Sequence, residues 1–275
     1  MKKFIHLVII LIALIFYNLS YALEIVVSNS PLKKIIKEIA PEYSIYQLQP
    51  EGTDFHSFEP TLSQWNKIKK ADLVIIVGTE SWAKRVYDLR KNRPILSLSN
   101  GETKFIDPHL WFDLNRVKML IENFLKYIKV KDPENYQDCL KRTNKFLKEL
   151  TKIKKEYKNL EKCKYKEIFI LGHPVFSYLF RNTDLKQITL IKGYHKEGEP
   201  SIKRLAEIMR GIQKREVKVV FLLDPEFEKY KNYFEIKGIK VIKLWSGGSY
   251  YMPGNYLELL RYNLENIKKS LLCNF

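Results

Sequence analysis

The sequence predicts an α/β protein built from two open parallel-sheet lobes that are joined by one long rigid helix. Three observations support this fold class. Short runs rich in branched apolar residues alternate with helical patterns in the first part of the chain, the same alternation returns near Lys166, and one long helical pattern separates the two blocks. Such alternation is typical of βαβ units in a parallel sheet. We therefore expect an N-terminal lobe over residues 23–131, a connecting helix over 132–162 and a C-terminal lobe over 163–275.

In the N-terminal lobe, apolar runs predict strands over residues 24–28, 44–48, 72–78 and 94–98. Helical patterns lie between them, over residues 31–40, 61–70 and 80–91. Thr61 and Gln64 have the spacing of a capping box, in which two side chains satisfy backbone N–H groups of the first turn. The second helix should therefore begin at this point.

The C-terminal lobe repeats this arrangement without a detectable sequence repeat. Its predicted strands cover residues 167–171, 187–191, 217–223 and 239–244. Its predicted helices cover residues 175–181, 201–215, 225–237 and 254–271.

The connecting segment has an apolar stripe at spacings of three and four residues, which is typical of a helix with one buried face. Asp132 can cap it, and Pro133 suits the first helical position. A helix over residues 133–161 would be about 43 Å long, enough to run along both lobes. A continuous helix predicts lobes held nearly rigid. Coiled-coil dimerisation is the alternative, but the stripe is short and includes Thr143 and tyrosines, so we expect a monomer.

The N-terminus has the three parts of a secretory signal peptide over residues 1–22. Lys2 and Lys3 precede an apolar stretch over residues 4–16, and Ser20 and Ala22 supply small residues before the expected cleavage point. A membrane anchor is the alternative, but the stretch falls short of the ~20 residues that a spanning helix needs. No cysteine follows the cleavage point to accept a lipid. We expect a periplasmic or extracellular protein.

The chain has a formal net charge of +17, but its lysines alternate with acids along helices and form no patch interleaved with aromatic residues. Together with export, this argues against nucleic acid as a partner. A solvated surface is the simplest interpretation, and contact with an anionic membrane surface or an acidic partner is the alternative.

The three cysteines, Cys139, Cys163 and Cys273, lack the spacing of a structural zinc site. They allow one disulfide of undetermined pairing.

Three histidines each occupy a junction where a strand or loop leads into a helix: His56, His109 and His173. In open parallel sheets this edge forms the ligand-binding crevice. Two of the histidines come from the first lobe and one from the second, so they can meet only between the lobes. A single histidine at such a junction more often packs or caps a helix, and separations of 53 and 64 residues are no local zinc motif. His195 lies in a charged loop and is interpreted as a surface residue.

The segments around these histidines resemble those of the zinc- and manganese-specific ABC-transporter solute-binding proteins, the ZnuA/TroA-like family. The three similar segments read GTDFHSFEPTLSQWNKIKKADLVIIVG, DPHLWFDLNR and ILGHPVFSYL. The resemblance covers essentially all of residues 24–271 and implies two α/β lobes with a metal ion between them. It assigns metal-ligand roles to His56, His109 and His173. A histidine at the third position resembles the zinc binders, which agrees with the preference of zinc for imidazole and of manganese for carboxylate.

The chain departs from this family pattern in two places. The family usually has an aspartate ligand after the last strand, where this chain has Leu244-Trp245-Ser246. Water, Asp224 or Glu59 are the candidates for the fourth position, and Asp107 and Glu59 are candidate acceptors for the second imidazole nitrogens. The histidine-rich loop of many zinc members is also missing, since residues 98–106 contain no histidine.

The resemblance implies capture of zinc outside the cytoplasm and its delivery to the membrane permease of an ABC importer, without catalysis. Manganese, iron or a small metal chelate is the alternative cargo, because the fourth protein ligand is missing. A zinc hydrolase is the alternative from another class, since three histidines and an open position also form catalytic sites. The sequence has no HExxH motif or comparable acid–base pair.

Overall fold

The structure of the chain is a computed structural model that describes residues 23–102, 104, 107–194 and 200–274. The predicted signal peptide and His195 lie outside the described residues. Within these ranges, no helix is both long enough and apolar enough to cross a membrane.

The N-terminal lobe contains a four-stranded parallel sheet, as the sequence predicts. Its strands are β1 (Glu24–Val27), β2 (Ser44–Gln47), β3 (Leu73–Ile76) and β4 (Ile95–Ser97), in the order β2-β1-β3-β4. Its helices are α1 (Ser30–Ile39), α2 (Leu62–Lys70) and α3 (Ala83–Leu89). The capping box of Thr61 and Gln64 is formed at the start of α2. All strand ends that lead into helices therefore lie at one edge of the sheet.

Two long helices follow, α4 (Leu114–Lys131) and α5 (Tyr136–Asn159). Helix α5 has 24 residues and is about 36 Å long at 1.5 Å per residue. It passes through a 3₁₀ turn (Leu160–Lys162) directly into the C-terminal lobe. The two lobes are thus joined by the long helix that the sequence predicts.

The C-terminal lobe has the same strand arrangement as the first. Its strands are β5 (Glu167–Leu171), β6 (Lys186–Thr189), β7 (Val219–Leu222) and β8 (Lys240–Lys243), all parallel and in the order β6-β5-β7-β8. Its helices are α6 (Ile202–Gln213), α7 (Lys231–Glu235) and α8 (Tyr256–Leu271). Residues 225–237 form a 3₁₀ segment followed by the short α7 rather than one continuous helix.

Two predicted helices begin about three residues later than the sequence indicates, since in each case a carboxylate at the expected start binds nearby N–H groups instead. Glu80 accepts hydrogen bonds from two preceding backbone N–H groups at 2.9 and 2.6 Å, and helix α3 starts only at Ala83. The carboxylate of Asp132 accepts hydrogen bonds from the backbone N–H and the side-chain amide of Asn135, at 3.2 and 2.8 Å. These bonds close a turn just before α5. Local side-chain bonds of this kind compete with helix formation.

The helix predicted over residues 175–181 is wrong: this segment forms a series of turns. The side-chain oxygen of Gln187 accepts hydrogen bonds from the backbone N–H groups of Val175 and Phe176, at 3.2 and 3.0 Å. These bonds hold the segment against the neighbouring strand, and Phe176 is fully buried. Tertiary contacts therefore override the local helical pattern.

One apolar cluster runs through both lobes, with members on the sheets and on α4, α5 and α8: Ile25, Phe124, Ile153, Ile170 and Leu264 among others. The buried hydroxyl of Tyr157, on α5, donates to the carbonyl of Leu260, on α8, at 2.9 Å. Two smaller clusters each cover the other face of one sheet. The lobes share a core on the side of the connecting helix, which fixes their separation there.

A disulfide joins Cys163 to Cys273 and closes a loop with a sequence separation of 110, while Cys139 is buried and free. The bond holds the end of α8 beside the start of the C-terminal lobe. Backbone hydrogen bonds reinforce this contact, since the N–H of Tyr165 donates to the carbonyl of Leu271 at 3.0 Å. The end of α8 is thereby held next to the segment that leads into strand β5, and His173 follows that strand.

Replacing both bonded cysteines, as Cys163→Ser/Cys273→Ser, should lower the free energy of unfolding by about 2–5 kcal/mol, because a long loop is no longer closed in the unfolded chain. Chemical denaturation of the natural chain and the variant measures this difference. A reductant should lower the midpoint of the natural chain and leave the variant unchanged. Equal stabilities under oxidising conditions would contradict the assignment.

Glu38 on α1 connects the N-terminal lobe to the first turn of α8. Its carboxylate accepts the N–H of Leu257 at 3.2 Å. Burial raises the pKa of Glu38 from 4.5 to about 7, against the opposing effect of hydrogen bonds from the Leu257 and Tyr256 N–H groups. Between these two pH values, folding is therefore accompanied by the uptake of a proton at Glu38.

Because the folded-state pKa of Glu38 lies above its unfolded value, its contribution to stability is fully present below pH 4.5 and is lost as the pH rises towards 7. The variant Glu38→Gln should flatten the pH dependence of the unfolding free energy in this window and be relatively more stable at pH 8 than at pH 5. Denaturation curves between these pH values measure the slope. Glu265→Gln, at an exposed position of α8, the helix that Glu38 contacts, is the control and should leave the slope unchanged. Identical slopes for the natural chain and Glu38→Gln would exclude this role.

Candidate metal centre

His109 is held rigidly by the short loop that precedes helix α4. Its ring nitrogen Nδ1 lies 2.7 Å from the carboxylate of Asp107, and its backbone N–H donates to the same oxygen at 2.9 Å. The loop is fixed on both sides, since the hydroxyls of Thr79 and Tyr178 donate to the carbonyls of Pro108 and Asp107. Both His109 and Asp107 are buried. The second ring nitrogen, Nε2, is thereby turned towards the space between the lobes.

His173 is held in the same way in the C-terminal lobe. It follows β5, while Asp224 follows the neighbouring parallel strand β7, so both stand at the same edge of the sheet. The Nδ1 of His173 lies 2.6 Å from Asp224, and its backbone N–H donates to the same carboxylate oxygen at 3.0 Å. Gly172 permits this approach: its φ is +152°, and a Cβ there would lie 2.6 Å from the Asp224 oxygen.

His56 completes the cluster from the loop between β2 and α2. Its ring centroid lies 5.4 Å from that of His109 and 5.3 Å from that of His173. One ring nitrogen from each of the three histidines lies within 4.8 Å of the others. The structure therefore brings together the three histidines that the sequence singles out, two from one lobe and one from the other.

The arrangement of ring nitrogens is one that could hold a cation. The Nε2 atoms of His109 and His173 face each other at 3.1 Å. A neutral imidazole that donates from Nδ1 to a carboxylate has a lone pair on Nε2. Two such lone pairs repel unless a cation lies between them. Burial lowers the pKa of His109, although its bond to Asp107 acts in the opposite direction. The lowered pKa favours the neutral ring, which is the form that binds a metal.

Aromatic residues form one wall of the centre. Trp111 lies 5.2 Å from the ring of His109 and 5.0 Å from that of Phe55. Its indole N–H donates to the carbonyl of Ser246, in the other lobe, at 3.1 Å. Gly247 has a φ of +114°, and a Cβ there would lie 2.3 Å from the indole nitrogen. The loop after β8 thus closes directly on Trp111.

The predicted carboxylates have separate places in the structure. Asp107 and Asp224 orient the imidazoles through Nδ1, as described above. Glu59 is exposed and accepts a hydrogen bond from Ser81 at 2.6 Å, and it does not belong to the described cluster of ligand atoms. A cavity of about 20 Å³ beside the histidines is lined by the loop over residues 246–249 and by Asp54, among others. That volume suits a single water molecule.

The sequence did not reveal the partnership between Asp224 and His173, which depends on the pairing of β5 with β7. A signal was nevertheless present in the chain: a glycine precedes the histidine, and the aspartate follows the next long apolar run of the same lobe. The wall formed by Trp111 and Phe55 was also missed, because aromatic residues near a metal segment are equally expected in a core.

The fold is that of two-lobed solute-binding proteins, with a candidate metal centre between the lobes. The profile of the family described as "Zinc-uptake complex component A periplasmic", ZnuA, matches residues 25–270. The chain belongs to this family, as the sequence motifs indicate.

Named relatives and solved structures agree with this assignment. The chain is 24% identical to the high-affinity zinc uptake system protein ZnuA of Bacillus subtilis (strain 168), covering 91% of this chain and 88% of that protein. It is 24% identical to the zinc-binding lipoprotein AdcA of Streptococcus pneumoniae (strain ATCC BAA-255 / R6), but spans only 56% of that longer protein. The crystal structure of a Zn(II)-bound mutant variant of AdcAII from Streptococcus pneumoniae matches with a TM-score of 0.72 and 25% identity, covering 91% of this chain and 98% of that one.

The variant Gly172→Ala should lower the free energy of unfolding by about 1–3 kcal/mol, since it combines an unfavourable φ with a clash against the buried Asp224 carboxylate. Thermal or chemical denaturation measures the loss. Gly238→Ala is the matched control, because its φ of +70° is also positive but open space surrounds the added Cβ. A loss at Gly172 no larger than that at Gly238 would show that the contact with Asp224 is not tightly packed.

Proposed function

We propose that this chain is an extracytoplasmic solute-binding protein that captures one divalent transition-metal ion between its lobes and delivers it to an ABC importer. His56, His109 and His173 are the proposed ligands. The observation that carries the proposal is the pair of Nε2 atoms 3.1 Å apart, each on a ring whose Nδ1 faces a buried carboxylate. This geometry leaves both lone pairs directed at one point.

Zinc is the proposed cargo. Imidazole ligands suit zinc, whereas manganese prefers carboxylate and water oxygens. The described cluster of ligand atoms consists of three histidines. The relatives named above are zinc-binding or zinc-uptake proteins. Manganese and iron are the competing cargoes, and a site without a carboxylate ligand should bind both more weakly than zinc.

A single water molecule is the proposed fourth ligand. The cavity next to the histidines has a volume of about 20 Å³, which is enough for water but not for a metal chelate. Glu59 is bonded to Ser81 at the surface. Three histidines and one water form an ordinary tetrahedral zinc site.

Binding without catalysis fits this centre better than hydrolysis does. Substrate pockets of enzymes commonly measure about 300–1,000 Å³, far more than the space beside the histidines. The two buried carboxylates, Asp107 and Asp224, are bonded to imidazoles and so are poorly placed to act as a general base. Turnover of an ester substrate that disappears on chelation would favour the enzyme alternative.

Export and delivery follow from the same proposal. The Cys163–Cys273 disulfide is typical of an oxidising compartment outside the cytoplasm. Family members act with the membrane permease of an ABC importer, and this permease is the proposed macromolecular partner. The protein is proposed to act as a monomer, with the metal supplied from the surrounding medium.

The purified protein should bind one zinc ion per chain, and the double variant His56→Ala/His173→Ala should lose this binding. Native mass spectrometry gives the stoichiometry, and competition with a chromophoric chelator gives the affinity. Asp107→Asn, which weakens the orientation of His109, should lower zinc affinity by about 10–100-fold. The order of affinity across zinc, manganese and iron tests the choice of cargo.

Glu59→Gln is the matched control for these variants and should bind zinc like the natural chain. Full stoichiometry and unchanged affinity in His56→Ala/His173→Ala would overturn the proposed site. A loss of affinity in Glu59→Gln comparable to that in the histidine variant would instead place Glu59 among the ligands.

A further inference from the structure

A second cavity lies away from the histidines, between the connecting helix and both lobes. Its volume is about 510 Å³, within the range of small-molecule sites. Three parts of the chain line it: the start of α4, the middle of α5, and the turn segment of the C-terminal lobe. We call this cavity the connecting-helix groove, and its lining includes Asp113, Lys154, Lys155, Lys158, Tyr178 and Arg181.

The charges in the groove are unbalanced. Lys154, Lys155, Lys158 and Arg181 face a single lining carboxylate, that of Asp113. One oxygen of Asp113 accepts the backbone N–H groups that start α4, and the other lies 3.3 Å from Arg181. This carboxylate is therefore already engaged and cannot neutralise the lysines.

Acidic partners are present on α5, but they serve the side of the helix that faces α8. Glu149 pairs with Lys152 and Arg261, at 2.6 Å each, and Glu156 lies 4.0 Å from Lys268. Within the described ranges, no carboxylate lies within 4.0 Å of the ammonium groups of the three groove lysines. Lys154 donates instead to the neutral side chain of Asn115 at 2.7 Å. Positive charge thus accumulates where the cavity opens.

The remaining lining residues suit a ligand with a compact body. Leu114 and Leu179 provide apolar contact, and Asn182 provides an amide at the rim. The guanidinium of Arg181 is kept in place by the ring of Tyr178, 4.7 Å away. Lysine and arginine side chains that line one cavity are common ligands of phosphate groups.

We propose that the connecting-helix groove binds the phosphate group of a small molecule or of a lipid headgroup. The bound group would contact α5 through Lys155 and Lys158 and the C-terminal lobe through Arg181. A phosphate held there touches the C-terminal lobe and the helix that joins it to the N-terminal lobe. The groove is also connected to the candidate metal centre through Tyr178. This residue lines the groove, and its hydroxyl donates to the carbonyl of Asp107 at 2.7 Å.

The test is titration of the full-length protein with inorganic phosphate at constant ionic strength, followed by calorimetry. Saturable binding of one phosphate per chain is expected. The variant Lys155→Glu/Lys158→Glu should weaken this binding at least about tenfold, a loss of about 1.4 kcal/mol. Both positions are exposed, so the variant should fold normally, and its thermal unfolding midpoint checks this.

Lys145→Glu/Lys148→Glu is the matched control, because these exposed lysines lie on the same helix outside the groove and the change in net charge is the same. It should retain binding within about twofold of the natural chain, as expected for distant surface charges screened by salt. Equal losses in both variants would show a nonspecific charge effect and overturn the proposal. Binding that survives Lys155→Glu/Lys158→Glu but disappears in His173→Ala would place the phosphate at the histidines instead, with the same consequence.

Sedimentation with vesicles separates the two sources of the phosphate group. Vesicles containing phosphatidylglycerol are compared with vesicles of phosphatidylcholine alone. Sedimentation that requires phosphatidylglycerol together with Lys155 and Lys158, without binding of free phosphate, identifies a lipid headgroup. Binding of free phosphate without sedimentation identifies a soluble ligand. Absence of both would overturn the proposal.

Discussion

The hydrogen bond between a buried carboxylate and the Nδ1 of a histidine is the interaction on which the centre depends. It occurs once in each lobe, between Asp107 and His109 and between Asp224 and His173, at 2.7 and 2.6 Å. In both cases the same carboxylate oxygen also accepts the backbone N–H of the histidine. Each histidine is therefore fixed at two points, its ring and its backbone, before any ion arrives. A site organised in advance avoids the entropy of ordering its ligands when the metal binds.

The two histidine–carboxylate pairs can form one centre only if the distance between the lobes is fixed. The packing around Trp111 fixes this distance. Its indole N–H donates to Ser246 of the other lobe at 3.1 Å, while its carbonyl accepts the Tyr256 hydroxyl at 2.6 Å. On the loop side, the N–H of Gly52 donates to the carbonyl of Gly248 at 2.7 Å, which links the loop of His56 to the opposite lobe. The shared apolar core along α5 adds contact on the far side. A small rotation between the lobes would break several of these contacts together, so they favour one discrete arrangement.

Much of this structure could be predicted from the sequence because its signals are local. Alternating strands and helices predicted both sheets, and the position of each histidine at the end of a strand or loop, together with the family resemblance, predicted that they would meet. The late starts of α3 and α5 follow from local side-chain bonds, whereas the larger failures depend on contacts between segments that are distant in the sequence. Gln187, on strand β6, binds the N–H groups of Val175 and Phe176 and so holds residues 175–181 against that strand as turns. The pairing of Cys163 with Cys273, and that of Asp224 with His173, likewise follow from contacts between distant segments that spacing does not encode.

A formal net charge of +17 should repel a cation, but distance and burial limit this repulsion at the candidate centre. At physiological ionic strength, charges farther apart than about 8 Å in solvent are largely screened. The exposed lysines of α5 lie on the surface and therefore act weakly on a buried centre. Asp107 and Asp224 are buried against the imidazoles, where salt screens electrostatic interactions much less than it does in solvent. An ion at the proposed centre would therefore be affected more by the nearby carboxylates than by the distant surface lysines.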